Sequence, residues 1–174
     1  MRIGYVSLPG RGATDACLAE AVARLAARGV PMAGTVQTNP ERPGRPVCDM
    51  DLRVLPDGPV IRISQDLGAG ARGCRLDGGA LEVAVAEVAR RLDGAALVIV
   101  NKFGKQEAEG RGLVPVIAEA VERGLPVLVG VNGLNLPAFL AFAEGAAQAL
   151  PADPAAVAAW ALRAVKDAAV VYHA

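Results

Sequence analysis

The chain has 174 residues, the size of one ordinary domain, and its 53% hydrophobic and 21% charged content excludes both a disordered chain and a charged coil. Lys and Arg (18 in total) balance Asp and Glu (18), so the basic surplus typical of general nucleic-acid binders is missing. Aromatic residues make up 3% of the sequence, which argues against stacking platforms for single-stranded nucleic acid.

The N-terminal half of the sequence alternates short apolar runs with helical periodicity, and then turns to hairpin and loop signals. The predicted elements are, in chain order, a strand at Arg2–Ser7, a helix at Thr14–Arg28, a strand at Val30–Gln37, a proline-rich loop at Thr38–Pro46, a β-hairpin with strands Asp49–Leu55 and Val60–Ser64, and a Gly-rich loop at Gln65–Asp77. Loops as long as the last one are often functional in compact domains.

The C-terminal half alternates helices with apolar runs of the kind found in strands buried on both faces. The predicted elements are a helix at Ala80–Leu92, a strand at Ala95–Val100, a helix at Leu113–Arg123, a strand at Pro126–Val131, a helix at Ala138–Glu144, a short edge strand at Ala147–Leu150 and a helix at Pro154–Lys166.

This order predicts an α/β fold in three layers, because buried strands that alternate with amphipathic helices form a mostly parallel sheet covered on both faces. The hairpin departs from the pattern, and we expect it as an antiparallel insertion near the sheet edge. Ligands bind such folds at the carboxyl ends of the strands. Three predicted loops meet there: Leu8–Ala13, Asn101–Gly112 and Val131–Asn135.

The first of these loops has the context of a P-loop but an incomplete motif. The template G-x-x-x-x-G-K-[ST] is matched by Gly12 and Thr14, whereas Ser7 replaces the first Gly and Ala13 replaces the Lys. Backbone N–H groups of the loop and of the helix N-terminus still suit a phosphate. The alternative is a plain strand–helix turn. The phosphate-binding residues predicted here are Pro9, Gly10, Arg11, Gly12, Ala13 and Thr14.

The chain after the predicted strand Ala95–Val100 carries Asn101 and Lys102 where P-loop enzymes carry acidic residues that hold Mg²⁺ and position water. A cation there would repel Mg²⁺ and attract phosphate, so Lys102 or Lys105 would supply the positive charge that the first loop lacks. Asn101 would face the same crevice. Glu107 is the candidate catalytic residue, for positioning water or a metal.

Three segments together resemble the archaeal and bacterial nucleoside-triphosphatases of the cancer-related type, which are small proteins with a P-loop fold. The segments are Pro9–Gly12 after the first strand, Gly34–Gln37 on the second, and Phe103–Glu107 after the middle strand. The resemblance implies a single P-loop-NTPase-like α/β domain over residues 1–174. Asn101 and Lys102 stand where that family has an acidic pair.

Longer stretches resemble an uncharacterised bacterial family, a domain of unknown function that is often labelled as related to molybdenum-transporter ATP-binding proteins or nucleoside-triphosphatases. They are Cys48–Leu52, Ile63–Gln65, Gly73–Asp77 and Asn101–Lys105. The resemblance implies a link to nucleotide or molybdate handling, but a shared fold does not by itself establish an activity.

Further polar residues flank the predicted crevice. Arg72 and Arg75 in the Gly-rich loop would clamp a phosphate or another oxyanion, or serve solubility alone. Asn132 would contact a base or ribose, although Asn-Gly is first of all a turn signal. Cys48 and Cys74 are weak metal candidates, since two thiolates could contribute to a soft-metal site completed by another subunit. The alternative is two ordinary thiols.

The sequence therefore predicts a protein that binds ATP, another nucleotide or a related phosphate compound through a degenerate P-loop, with weak or absent hydrolysis and an open requirement for Mg²⁺. The alternatives are an atypical Mg²⁺-dependent NTPase, a non-enzymatic molybdate or metal sensor or carrier, and an interaction module without a ligand. The balanced charge leads us to expect no nucleic-acid partner. We also expect no membrane span and a cytoplasmic location, because long apolar runs and a signal peptide are both missing. A homodimer is compatible with the sequence.

Overall fold

The computed structural model describes residues 2–40, 48–65 and 76–171, and in these ranges the chain forms one sheet and six helices. The strands are β1 (Ile3–Val6), β2 (Met32–Thr38), β3 (Asp51–Leu55), β4 (Val60–Arg62), β5 (Leu97–Phe103), β6 (Val127–Val131) and β7 (Ala147–Ala149). The helices are α1 (Ala13–Ala26), α2 (Gly78–Ala89), α3 (Lys105–Ala108), α4 (Val114–Glu122), α5 (Leu136–Phe142) and α6 (Pro154–Val171).

The sheet has seven strands in the order β4-β3-β2-β5-β6-β1-β7. The five strands from β2 to β7 in that order pair in parallel. β3 pairs antiparallel with β2 and with β4, so the hairpin lies at one edge of the sheet. The predicted fold class, a mostly parallel α/β sheet with an antiparallel hairpin at the edge, is confirmed.

Helices cover both faces of the sheet, and each face has its own hydrophobic core. On one face, α1 and α6 pack on the sheet through residues such as Leu18 and Trp160. On the other face, α2, α4 and α5 pack through residues such as Ile117 and Phe139. Neighbouring residues of β5 alternate between the two cores, which explains why its sequence is an unbroken apolar run.

Trp160 anchors α6 against strands β1 and β7. Its indole lies so close to β1 that a Cβ atom at Gly4 would stand 2.7 Å from the ring. The indole Nε1–H donates to Oε1 of Gln148 on β7 at 3.0 Å. The missing side chain of Gly4 thus makes the space in which the largest side chain of α6 is buried.

Helix α2 begins at a side-chain cap. The Asp77 carboxylate accepts a hydrogen bond from the backbone N–H of Ala80 at 3.0 Å. We expect Asp77→Ala to lower the free energy of unfolding by about 1 kcal/mol, as the loss of an N-cap usually does. Asp77→Ser keeps an acceptor and is expected to stay within about 0.5 kcal/mol of the wild type. Urea denaturation of the three proteins checks this, and equal losses in both variants would contradict it.

The middle strand is longer than the sequence pattern indicated. β5 continues through Asn101 and Lys102 to Phe103, instead of ending at Val100. Its register against β6 shifts between Val100 and Phe103, so two residues of β5 stand opposite Gly130. The strand is prolonged past its polar residues because Phe103 is fully buried in the core beyond them. The predicted loop after it also contains the short helix α3.

The strand order places a crevice at the carboxyl ends of β1 and β6, which are neighbours in the sheet. The helix that follows β1, α1, packs on one face, whereas the helix that follows β6, α5, packs on the other. Where adjacent parallel strands send their chains to opposite faces, the connecting loops separate and leave an opening. The first predicted loop and the loop after β6 border this opening.

Candidate functional site

A small cavity of about 50 Å³ lies at these strand ends. All three predicted ligand loops contribute to its wall. The lining residues are Leu8, Gly10, Gly12, Thr14, Asp15, Asn101, Lys102, Gly130, Val131 and Asn132. Since one water needs about 10–15 Å³ of such space, the cavity suits a group the size of a phosphoryl group or another tetrahedral oxyanion.

The loop between β1 and α1 is a tight, glycine-dependent turn. Gly10 and Gly12 have φ angles of 96° and 75°, in the left-handed region that side chains disfavour. The backbone N–H of Leu8 donates to the hydroxyl Oγ1 of Thr14 at 3.0 Å, which ties the start of the loop to the first turn of α1. The first N–H groups of α1 have no partner within the helix, and together with the helix dipole they favour an anion at this end.

Gly130 allows β5 and β6 to approach closely beside the cavity. A Cβ atom at this position would stand 2.1 Å from the carbonyl oxygen of Asn101 and 2.6 Å from Cδ1 of Leu18. No real Cβ tolerates such distances from a backbone atom. Glycine at this position is therefore a condition for the position of Asn101 in the cavity wall.

A buried network of polar side chains forms the floor of the cavity around Asp15. Oδ1 of Asp15 accepts from Nδ2 of Asn101 at 2.9 Å, and Oδ2 accepts from Nδ2 of Asn39 at 3.0 Å. Gln37 closes the network, since its backbone N–H donates to Oδ1 of Asn101 at 2.9 Å and its Nε2 donates to Oδ1 of Asn39 at 2.7 Å. The network joins α1 to the ends of β2 and β5.

Lys102 is the cationic side chain of the cavity wall. It is exposed, and it forms no ion pair within the ranges that the structure describes. Lys105 does not line the cavity: its side chain is 78% exposed and its Nζ lies 3.8 Å from a carboxylate oxygen of Glu109. Of the two lysines that the sequence offered as the source of positive charge, the geometry favours Lys102.

The first loop contributes fewer residues to the wall than the sequence prediction named. Gly10, Gly12 and Thr14 line the cavity. Pro9 and Arg11 are exposed and Ala13 is half-buried, and these three do not line it.

Glu107 is buried, and both oxygens of its carboxylate accept hydrogen bonds from backbone N–H groups. Its Oε2 accepts from the N–H of Gly104 at 2.9 Å, and its Oε1 accepts from the N–H of Leu113 at 3.1 Å. The side chain holds the two ends of the α3 segment together, and it does not line the cavity. This geometry favours a structural role for Glu107 over the predicted positioning of water.

The remaining candidates are distributed around the site. Asn132 lines the cavity, and its Oδ1 accepts from the backbone N–H of Asn135 at 2.9 Å, which is the turn that Asn-Gly indicated. Arg72, Arg75 and Cys74 lie outside the described residues. Cys48 is half-buried and does not line the cavity.

Asp15 is the main residue that the sequence reasoning missed. It is 9% exposed and lies in the first turn of α1, directly after the threonine of the motif. Acidic residues are common in a first helical turn, because they interact favourably with the helix dipole, so the position alone gave no sign of a ligand site. The signal was the burial, which a sequence does not show.

The side chains of the cavity do not fit a resident Mg²⁺ ion. P-loop enzymes hold this ion with a hydroxyl and an acidic residue. Here Asp15 is the one carboxylate among the lining residues that the structure describes, the Thr14 hydroxyl accepts from Leu8, and Lys102 brings a like charge. Among the described residues, His, Cys, Asp and Glu form no group of three that could hold a metal ion.

One buried thiol lies outside the site. Burial raises the pKa of the Cys17 thiol, and the nearby charges of Asp153 and Glu20 raise it further. The neutral thiol packs in the core between α1 and α6 as a small hydrophobic group.

Within the described ranges, none of the helices combines the length and the apolar character that crossing a membrane requires.

Comparisons with known proteins connect the fold to a longer relative and to a solved structure. Molybdenum import ATP-binding protein ModC 2 of Bradyrhizobium diazoefficiens is 35% identical over 147 residues, which are 84% of this chain and 16% of that protein. The chain thus spans about a sixth of that relative's length. The crystal structure of THEP1 from the hyperthermophile Aquifex aeolicus superposes with a TM-score of 0.62 over 88% of this chain and 91% of that one. At 14% sequence identity this likeness concerns the fold.

The family itself is identified by a family model with the description "Protein of unknown function (DUF2478)", which matches residues 3–160. This range includes the glycine loop, the network around Asp15 and every strand of the sheet. It confirms the resemblance to a bacterial domain of unknown function that the longer sequence stretches indicated. The chain belongs to the DUF2478 family.

Proposed function

We propose that the protein binds a nucleotide or a related phosphate compound, with the phosphate group in the cavity between β1, β5 and β6. The observation that carries this proposal is the convergence of the glycine loop, the N-terminus of α1 and Lys102 on one small space. The loop and the helix would supply backbone N–H donors, and Lys102 would supply the ammonium group that the motif lacks at Ala13.

One comparison supports a nucleotide as the source of that phosphate. The curated relative is an ATP-binding protein by name. The same relative also serves molybdenum import by name, so molybdate is a second candidate ligand of the same tetrahedral shape. The cavity would take one such group, and the rest of a nucleotide would extend out of it.

Hydrolysis would be weak or absent in this proposal. P-loop enzymes neutralise the transferred phosphoryl group with a lysine and Mg²⁺ and orient the attacking water with a polar side chain. This loop has Ala13 at the lysine position, and the Glu107 carboxylate is held by two backbone N–H groups away from the cavity. The site would bind its ligand and leave it intact.

Isothermal titration with ATP, with and without Mg²⁺, tests the proposal. We expect binding in the micromolar range, about −8 kcal/mol, and no gain from Mg²⁺. Lys102→Ala is expected to weaken binding at least about tenfold, because a charge-assisted hydrogen bond is lost. Lys166→Ala removes the same charge from the exposed side of α6 and serves as the matched control. Absence of binding, or equal affinities in Lys102→Ala and wild type, would contradict the proposed site.

A further inference from the structure

We propose that Asp15 determines the specificity of this site and selects an oxyanion that carries a proton. The preferred group would be phosphate or a phosphate ester, and fully ionised oxyanions such as sulfate and molybdate would be disfavoured. The inference rests on the proposed function, since it takes the cavity to be an anion site.

Within the described part of the chain, the cavity wall contains one carboxylate, that of Asp15, although the rest of the lining suits an anion. Asp15 is 9% exposed and lines the cavity beside Gly12 and Lys102. An ionised carboxylate only accepts hydrogen bonds. The oxygens of this carboxylate would repel those of a fully ionised oxyanion, and the repulsion is strong because the two groups are close together and little water separates them. Such a wall is compatible with a bound anion if the anion donates a hydrogen bond to it.

The amide network uses both oxygens of Asp15 as acceptors. Asn101 and Asn39 each turn their NH₂ group towards Asp15. The backbone N–H of Gln37 fixes the orientation of Asn101 by donating to its carbonyl oxygen, and Nε2 of Gln37 donates to the carbonyl oxygen of Asn39. The two amides thus use one lone pair on each oxygen of the carboxylate. An ionised carboxylate has about four lone-pair sites, so acceptor capacity remains for a ligand.

Phosphate matches both the acceptor at Asp15 and the donors of the glycine loop and Lys102. A phosphate ester is largely a dianion at neutral pH, but it takes up a proton at little cost when an acceptor such as Asp15 is beside it, because its second pKa is about 6. Its protonated oxygen can donate to Asp15 while its charged oxygens accept from the loop N–H groups and from Lys102. Sulfate and molybdate have the same tetrahedral shape but carry no proton at neutral pH. Asp15 therefore discriminates between phosphate and the other two anions, which shape and charge alone would not distinguish.

The variant that tests this is an exchange of side chains, Asp15→Asn combined with Asn39→Asp. Asp15→Asn alone would set two NH₂ groups against each other and risk unfolding. In the exchange, the new amide at position 15 accepts from Asn101 and donates to the new carboxylate at position 39, which still accepts from Gln37. All four hydrogen bonds and the net charge are kept, while the carboxylate moves to a position that does not line the cavity.

The experiment measures the affinities of inorganic phosphate, sulfate and molybdate at neutral pH, directly by titration and as competitors of ATP. For the wild type we expect phosphate to bind at least about tenfold more tightly than sulfate or molybdate, which corresponds to about 1.4 kcal/mol. In the exchange variant the preference is expected to fall to about threefold or less, mainly because sulfate and molybdate bind better. Thermal unfolding of both proteins verifies that the variant is folded.

Three results would overturn the inference and leave the proposed function standing. The first is equal binding of the three anions to the wild type, and the second is a preference that the exchange leaves unchanged. The third is ATP binding that none of the three anions reduces. Failure of ATP and of every anion to bind would overturn the proposed function together with the inference.

Discussion

Gly130→Ala is expected to lower the free energy of unfolding by about 2–4 kcal/mol, as overpacking against a fixed neighbour does. The new methyl group would meet the carbonyl oxygen of Asn101 at 2.1 Å, and a backbone atom in the middle of a sheet has no space to withdraw. Strands β5 and β6 would separate at the register shift, and Asn101 would lose its place beside Asp15. We therefore expect loss of anion binding together with loss of stability.

Gly133→Ala is the matched control for this change. Gly133 lies three residues further along the chain, and a Cβ atom there would have no heavy atom within 4 Å. Its substitution is expected to change stability by less than about 0.5 kcal/mol. Urea denaturation followed by circular dichroism, with an ATP titration of each folded variant, gives both readouts. A Gly130→Ala protein as stable as the control would refute the close approach of the two strands.

Glu107→Ala is expected to cost about 2–4 kcal/mol, because the two backbone N–H groups of Gly104 and Leu113 would each lose their acceptor. Since domains are stable by about 5–15 kcal/mol, a loss of this size is easily measured. Glu107→Gln retains a single acceptor oxygen and is expected to lie between the alanine variant and the wild type.

Glu109→Ala removes an exposed carboxylate two residues away and is expected to cost less than about 1 kcal/mol, since its ion pairs are on the surface. Measuring phosphate release from ATP distinguishes a structural role of Glu107 from a catalytic one. In the structural role, Glu107→Gln lowers stability, and any slow turnover of the folded protein stays unchanged. Turnover that depends on Mg²⁺ and disappears in Glu107→Gln at full stability would favour the atypical NTPase instead.

The strands and the large helices could be predicted from the sequence because their signals are local. β5 and β6 are unbroken apolar runs, and the hairpin strands flank a Pro-Asp-Gly turn. The short helix α3 gave no such signal, because four residues do not complete a periodic pattern. It is held by the contacts of Glu107 with the backbone, and such contacts appear when the chain is folded.

The site was predicted in outline and missed in detail. The loops could be brought together from the order of the elements, because the carboxyl ends of parallel strands share one edge. The direction of every side chain at that edge could not, since the register shift in β5 breaks the alternation after Asn101 and buries Phe103 on the face of α2, α4 and α5. The pairing of Asp15 with Asn39 and Asn101 spans up to 86 positions in the chain, beyond any local pattern.

The packing of Trp160 against Gly4 gives the protein a built-in optical probe. The sequence contains a single tryptophan, so its fluorescence arises from one place, the seam of α6 with β1 and β7. That seam lies at the amino end of β1, whereas the cavity lies beyond its carboxyl end. The emission spectrum should therefore shift when the indole becomes hydrated on unfolding and stay constant when a ligand fills the cavity. The fluorescence thus reports unfolding without interference from ligand binding, which titration calorimetry measures separately.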